Sequence, residues 1–202
     1  MPARASSQST AVEIGRVLRG GTAGFVAGCR VRELEAPQFG ALVKVAQGEG
    51  YEVFGLIHDI HIDDDGLVRQ LVTAENITPE VMADNRERRI VPIEMSVLTV
   101  GYRQGGQIQH ALPPRPPLSL DVVQLCDDGD LRQFTERLGY LRLIVTAEEI
   151  PIGELVAAHI RQIQARRTDP GWKALASQEV ITLLRDDYPT LMSVLGALGA
   201  EA

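Results

Sequence analysis

The chain has 202 residues, 45% of them apolar and 23% charged, and its 27 acidic and 20 basic side chains leave a formal net charge of −7. That length suits one or two domains with a substantial core, and the negative balance gives no global attraction to nucleic acid or to an anionic membrane. Aromatic residues make up only 4%, so Val, Ile, Leu and Ala must fill the core, and no run approaches the 18 apolar residues of a membrane-spanning helix.

The first dozen residues lack a hydrophobic stretch and read as a disordered tail. Ile14 to Leu18 is the first expected strand, closed by Gly20-Gly21, and Phe25 to Val31 the second. Pro37 and Gly40 break the chain before a third, Ala41 to Ala46. Gly48-Glu49-Gly50 signals a hairpin into a long strand, Tyr51 to Ile62. Strict alternation would place Phe54, Leu56, His58, Ile60 and Ile62 on one face of it. Asp64, Asp65 and Gly66 end that strand.

Thr78-Pro79-Glu80 has the pattern of an N-cap followed by Pro, which predicts a short helix to about Arg86. Ile90 to Tyr102 is strand-like, and Gly105-Gly106 turns the chain back into Gln107 to Leu112. Pro113, Pro114, Pro116 and Pro117 impose an extended connection. Leu120 to Leu125 is the last expected strand, with Asp127-Asp128-Gly129-Asp130 as its closing turn.

Beyond this point the period changes. Leu131 to Leu138 can make a turn or two of helix, and Leu141 to Val145 fits either helix or strand. Pro151 opens a helix to Arg167 with Leu155, Ala158, His159 and Ile163 near one face. Trp172 to Asp187 is a second, with Leu175, Glu179 and Leu183 at i, i+4 spacing beside Ala176, Val180 and Leu184. Pro189 starts a third, through Leu198. Short strands followed by helices predict an α+β fold. It comprises a tail over 1–12, a small antiparallel β-barrel over 13–127 and a C-terminal helical region over 128–202.

Several of these segments carry a resemblance. The early glycines, "FGALVKV", "VFGLIHDIHI", "VGY" at Val100 to Tyr102 and "LPPRPPLSLDVV" resemble the HAS-barrel, the barrel shared by HerA-type DNA translocases and rotary ATP synthases. The resemblance spans roughly Ile14 to Leu125. The stretch "RQLVTAENITPEVMADNRERR" departs from a minimal barrel. In that family the barrel helps to build a ring while a separate domain hydrolyses ATP. This sequence has no Gly-Lys pair, and hence no phosphate-binding loop of the form G-x-x-x-x-G-K-[ST]. The resemblance therefore implies packing of subunits or docking onto a ring made by another chain, and not ATP hydrolysis.

Candidate chemistry is sparse. Asp59, His61 and Asp63 share one face of a strand and form a weak metal set, whereas His58 and His61 point oppositely. A solvated acidic turn is the plainer reading. Arg86, Arg88 and Arg89 are the local basic cluster that could touch a phosphate backbone, diluted by Glu80, Asp84 and Glu87. No G-x-S-x-G occurs. Cys29 and Cys126 form no C-x-x-C and read as buried reduced thiols. Glu148-Glu149 reads as charge at the start of a helix. "PPRPP" is a possible polyproline ligand, or simply the crossing segment of a barrel. Leu183, Leu191, Leu195 and Leu198 are apolar positions that two- or three-helix packing would leave partly open, hence interface candidates.

The leading expectation is a non-catalytic assembly or adaptor protein of the cytoplasm, without cofactor. Its barrel would self-associate, as a dimer or a hexameric ring, or dock onto a ring ATPase, with DNA contacted only indirectly or weakly and no membrane partner. A nucleic-acid-binding barrel using the arginine cluster is the alternative, and a metal-dependent hydrolase around Asp59 and His61 a second one.

Overall fold

The computed structural model describes residues 12–31, 38–62 and 91–199. Strands β1 (Glu13–Gly20), β2 (Gly24–Val31), β3 (Leu42–Ala46), β4 (Glu52–Ile62), β5 (Val91–Gln104), β6 (Gln107–Gln109) and β7 (Val122–Leu125) come first. Helices α1 (Asp128–Phe134), α2 (Leu141–Val145), α3 (Ile152–Arg166), α4 (Trp172–Leu183) and α5 (Tyr188–Gly199) follow. The architecture is the expected α+β one, a barrel and then helices. The helix expected from Pro79 to Arg86 lies outside the described residues.

The barrel closes through six strands. β1 pairs with β2 and β7, β7 with β3, β3 with β4 and β4 with β5, and β5 returns to β2, every pair antiparallel. Closure leaves these six without a free edge. The connection that closes it, β2 with β5, runs from Gly24 against Leu98 to Val31 against Val91. β6 lies outside the ring as a short partner of β5. Arginines from the helical region shield it: Arg137 donates to the Ile108 carbonyl at 2.7 Å and Arg142 to that of His110 at 2.7 Å.

The turn signals translate directly. Gly48, Glu49 and Gly50 all have positive φ, and Tyr51 N donates to Gly48 O at 2.9 Å. Gly105 and Gly106, at φ +56° and +80°, make the two-residue turn between β5 and β6. The proline run is the crossing segment. Pro113 and Pro117 are buried, the Tyr51 hydroxyl donates to Arg115 O at 3.0 Å, and Gln47 Nε2 donates to Pro116 O at 3.3 Å.

Two apolar clusters divide the strands by face. Val17, Phe25, Ala27, Val43, Val45, Val53, Ile57, Met95, Val97 and Val123 fill the barrel interior. Leu42, Phe54, Leu56 and Val100 meet Leu131, Phe134, Tyr140, Leu141, Ile144, Leu155 and Ile160 of the helical region. The two regions thus share one core across the outer wall of β3, β4 and β5.

Three sequence expectations need correction. First, β4 does not present a single five-residue face. Phe54 and Leu56 point to the helices, while Ile60 packs on the interior cluster and Ile62 is exposed. The register shifts between Ile57 and Asp59, so His58 is the extra residue of a β-bulge, and every side chain beyond it changes face. Second, the acidic run after β7 is the start of α1. Asp127 is the N-cap and its carboxylate accepts from Asp130 N at 2.8 Å, with Asp128 and Asp130 in the first turn, where the helix end favours negative charge. Third, α4 buries Ala176 and Val180, with Leu184 at its cap, and leaves Leu175 exposed. Leu141–Val145, open between helix and strand in the sequence, is helical.

Candidate functional site

The junction of barrel and helices brings together four charged side chains, Lys44, Glu52, Arg103 and Asp130. Lys44 alternates with Val43 and Val45 on β3, so it must point out of the barrel. There it meets Asp130 of α1 at 2.6 Å and Glu52 of β4 at 3.6 Å. Arg103 of β5, the register partner of Glu52, pairs with that carboxylate and with Asp130 at 3.2 Å, and donates to Gln133 at 3.0 Å. Its guanidinium lies 5.2 Å from the Phe54 ring centroid. Two cations face two carboxylates, and all four are largely shielded from water. Burial pulls the Lys44 ammonium down, but the hydrogen bond and charge of Asp130, with Glu52, more than offset it, so Lys44 titrates above its usual range. A neutralised set of this kind clamps α1 to the barrel and leaves no charge over for a ligand.

A second polar set lies wholly inside. His159 of α3 has one ring nitrogen 3.2 Å from the Gly40 carbonyl and the other 2.9 Å from the Tyr140 hydroxyl. The consistent assignment is Nδ1–H donating to Gly40 O and Nε2 accepting from Tyr140. Gly40 takes φ +83° and lies against Ala158 and His159, where a β-carbon would come within 2.9 Å of Ala158 Cβ. Only glycine allows that approach. Burial lowers the His159 pKa to about 4 and raises that of Tyr140. His110, Phe134, Tyr140 and His159 form a chain of ring contacts at 4.8–5.5 Å. A cavity of about 310 Å³ adjoins, lined by Gly40, Leu42, Leu125, Leu131, His159 and Ile163 among others. Both imidazole nitrogens are already engaged, so His159 reads as a packing hinge between α3 and the barrel rather than as a base.

The sequence candidates are scattered. Asp59 and His61 do share the outer face of β4 and are exposed, opposite Ser96 and Glu94, while Asp63 lies outside the described residues. Among the described residues no three His, Cys, Asp or Glu side chains converge as a metal-holding group. Arg86, Arg88 and Arg89 also lie outside. Cys126 is buried and Cys29 half-buried, and burial raises both thiol pKa values, that of Cys126 far more. Glu148 and Glu149 precede α3, whose N-cap Pro151 takes no side-chain hydrogen bond. Of the interface leucines, Leu183, Leu191 and Leu198 rest against the helical core, and Leu195 is exposed.

What remains is apolar surface. On α5, Tyr188, Met192 and Leu195 face solvent, and on α4 Leu175 and Ile181 do so. On the barrel flank, Leu18, Leu112, Leu118 and Leu120 are exposed. The strand expected from Leu120 begins at Val122, and Leu120 itself sits in a turn at positive φ. The lone lysine inside "ALVKVA" was a legible sign of a shielded ion pair, although its partners lie far along the chain. No helix among the described residues is long and apolar enough to cross a membrane. Set against protein-family models and curated proteins, the chain matches none.

Proposed function

We propose that this chain is a non-catalytic assembly or adaptor protein that binds other protein chains, by self-association or by docking onto a ring ATPase. One observation carries the reading: large apolar side chains stand exposed on both the barrel flank and α5, while the buried charged and imidazole groups are consumed by internal partners. Exposed apolar surface of that kind marks protein contacts more than chemistry. The resemblance of Ile14 to Leu125 to the HerA–ATP synthase barrel supports the ring and a role in DNA processing. The missing Gly-Lys loop assigns hydrolysis to a partner. DNA contact is then indirect or weak, and the role needs no cofactor.

Size exclusion with light scattering tests self-association. An oligomer is expected. A clean 22.0 kDa monomer from low to high micromolar concentration would leave only docking, which a pull-down with a HerA-type ATPase then decides. Equilibrium binding of labelled ATP should be absent; micromolar affinity lost on mutating one compact site would sink the non-catalytic reading. Duplex DNA should bind weakly at physiological salt. A Kd below about 1 μM, abolished by Arg88→Ala with Arg89→Ala, would favour a nucleic-acid-binding barrel instead.

A further inference from the structure

The geometry points to an oxyanion site on the outer edge of β6, built by Arg137 and Arg142 and matched to the dianion of a phosphate monoester.

Strand pairing sets the edge. Gln104 and Gln107 flank the two-residue turn and form the hydrogen-bonded pair, so Ile108, opposite Arg103, turns its N–H and C=O away from β5. Arg137 donates to that carbonyl at 2.7 Å, and Arg142 donates to the carbonyl of His110, two residues on, at 2.7 Å. Alternate carbonyls of an extended chain lie about 7 Å apart, which makes the two guanidiniums neighbours. An edge strand ordinarily offers both donors and acceptors to a partner. Here the Ile108 and His110 carbonyls are taken, so the outward groups are N–H donors. That arrangement disfavours addition of a further strand, which needs the carbonyls, and suits a ligand that only accepts.

Charge points the same way. Each guanidinium spends one N–H on the strand and keeps the others. Both residues are exposed, and among the described residues neither has a carboxylate within ion-pair distance, in contrast to Arg103, Arg166 and Arg167. Glu136, exposed beside Arg137, makes no ion pair there either. The field of the pair reaches His110. Its Nε2 lies 3.0 Å from the Phe134 carbonyl, which can only accept, so in the neutral ring Nε2 carries the proton. Burial lowers the His110 pKa, the bond to Phe134 opposes that, and Arg137 and Arg142 lower it further, with no carboxylate among the charges that act on it.

The ligand follows from the count. A carboxylate or a phosphate diester brings a single negative charge. A phosphate monoester carries about −1.5 to −2 at pH 7 and three acceptor oxygens, and arginine forks bind such groups through paired N–H bonds. It answers both guanidiniums and leaves an oxygen for the Ile108 N–H.

Titration at low ionic strength, where exposed charges are least screened, tests this with methyl phosphate, dimethyl phosphate and acetate. The readouts are the amide NMR signals of Ile108 and His110 and the titration of the His110 ring. Methyl phosphate should shift those amides and raise the His110 pKa, since a nearby anion favours the imidazolium. Dimethyl phosphate and acetate should bind at least about tenfold more weakly. Arg137→Gln and Arg142→Gln, made singly so that one guanidinium always holds β6, should each weaken methyl phosphate binding about tenfold. Arg137→Lys and Arg142→Lys keep the charge but lose the fork, and should fall between the parent and the Gln variants. A thermal melt checks the folding of each. A phosphoserine peptide that binds more tightly than methyl phosphate would assign the group to a protein partner, and equal affinity would assign it to a small phosphorylated molecule. Amides that do not move at millimolar methyl phosphate, equal binding of the three anions, or unchanged affinity in both Gln variants would overturn the site.

Discussion

Acidification from pH 7.5 to pH 5 should cost this fold about 2 kcal/mol through His159 alone. Its imidazole is fully buried between Tyr140 and the Gly40 carbonyl, and its folded-state pKa is about 4. In the unfolded chain a histidine titrates near 6.5. The unfolded state therefore takes up the proton first, so His159 subtracts nothing above about pH 6.5 and progressively more as pH falls towards 4, where the loss levels off at about 3 kcal/mol. His58 and His110, both lowered by burial, act in the same direction. Urea unfolding across this range measures the slope, and His159→Leu separates the contributions. That variant should be less stable at pH 7.5, because Tyr140 and Gly40 lose a partner, but its stability should fall less steeply towards pH 5. If the variant does not fold, an NMR titration of the parent chain serves instead, and the His159 ring should stay neutral down to pH 5. Parallel stability curves for parent and variant, or a ring that protonates near pH 6.5, would refute the reasoning.

Three further outcomes follow from the geometry. Asp130→Ala should destabilise by about 3 kcal/mol, since it leaves Lys44 and Arg103 sharing only Glu52 in a shielded site; a loss under about 1 kcal/mol in urea unfolding would mean that water screens the cluster. Leu120→Gly should leave stability unchanged or raise it by up to about 1 kcal/mol, because relief of the left-handed strain outweighs the added freedom of the unfolded chain. A clear drop in melting temperature would show that the leucine side chain serves the fold. Cys126 should resist a thiol reagent until the protein unfolds, while Cys29 reacts slowly in the native state. Equal native rates would contradict the burial of Cys126.

The sequence by itself determined the class of the fold and the order of its parts. Those signals are local: period-two apolar runs, Gly48-Glu49-Gly50 and Gly105-Gly106 at the hairpins, the proline run as a crossing, and helical spacing after Leu131. Each is read within a few residues, because backbone sterics and side-chain periodicity act at that range. The tertiary structure decided the rest. The bulge at His58 arises only when β4 is matched to β5, and it sends Ile60 to the opposite side from Leu56. Closure of β2 onto β5 and the pairing of Lys44 with Asp130 join residues dozens of positions apart. The strained Leu120 is set by its bond to Val17 across the barrel wall. Contacts of that span leave no pattern in the neighbouring residues, so only the folded chain displays them.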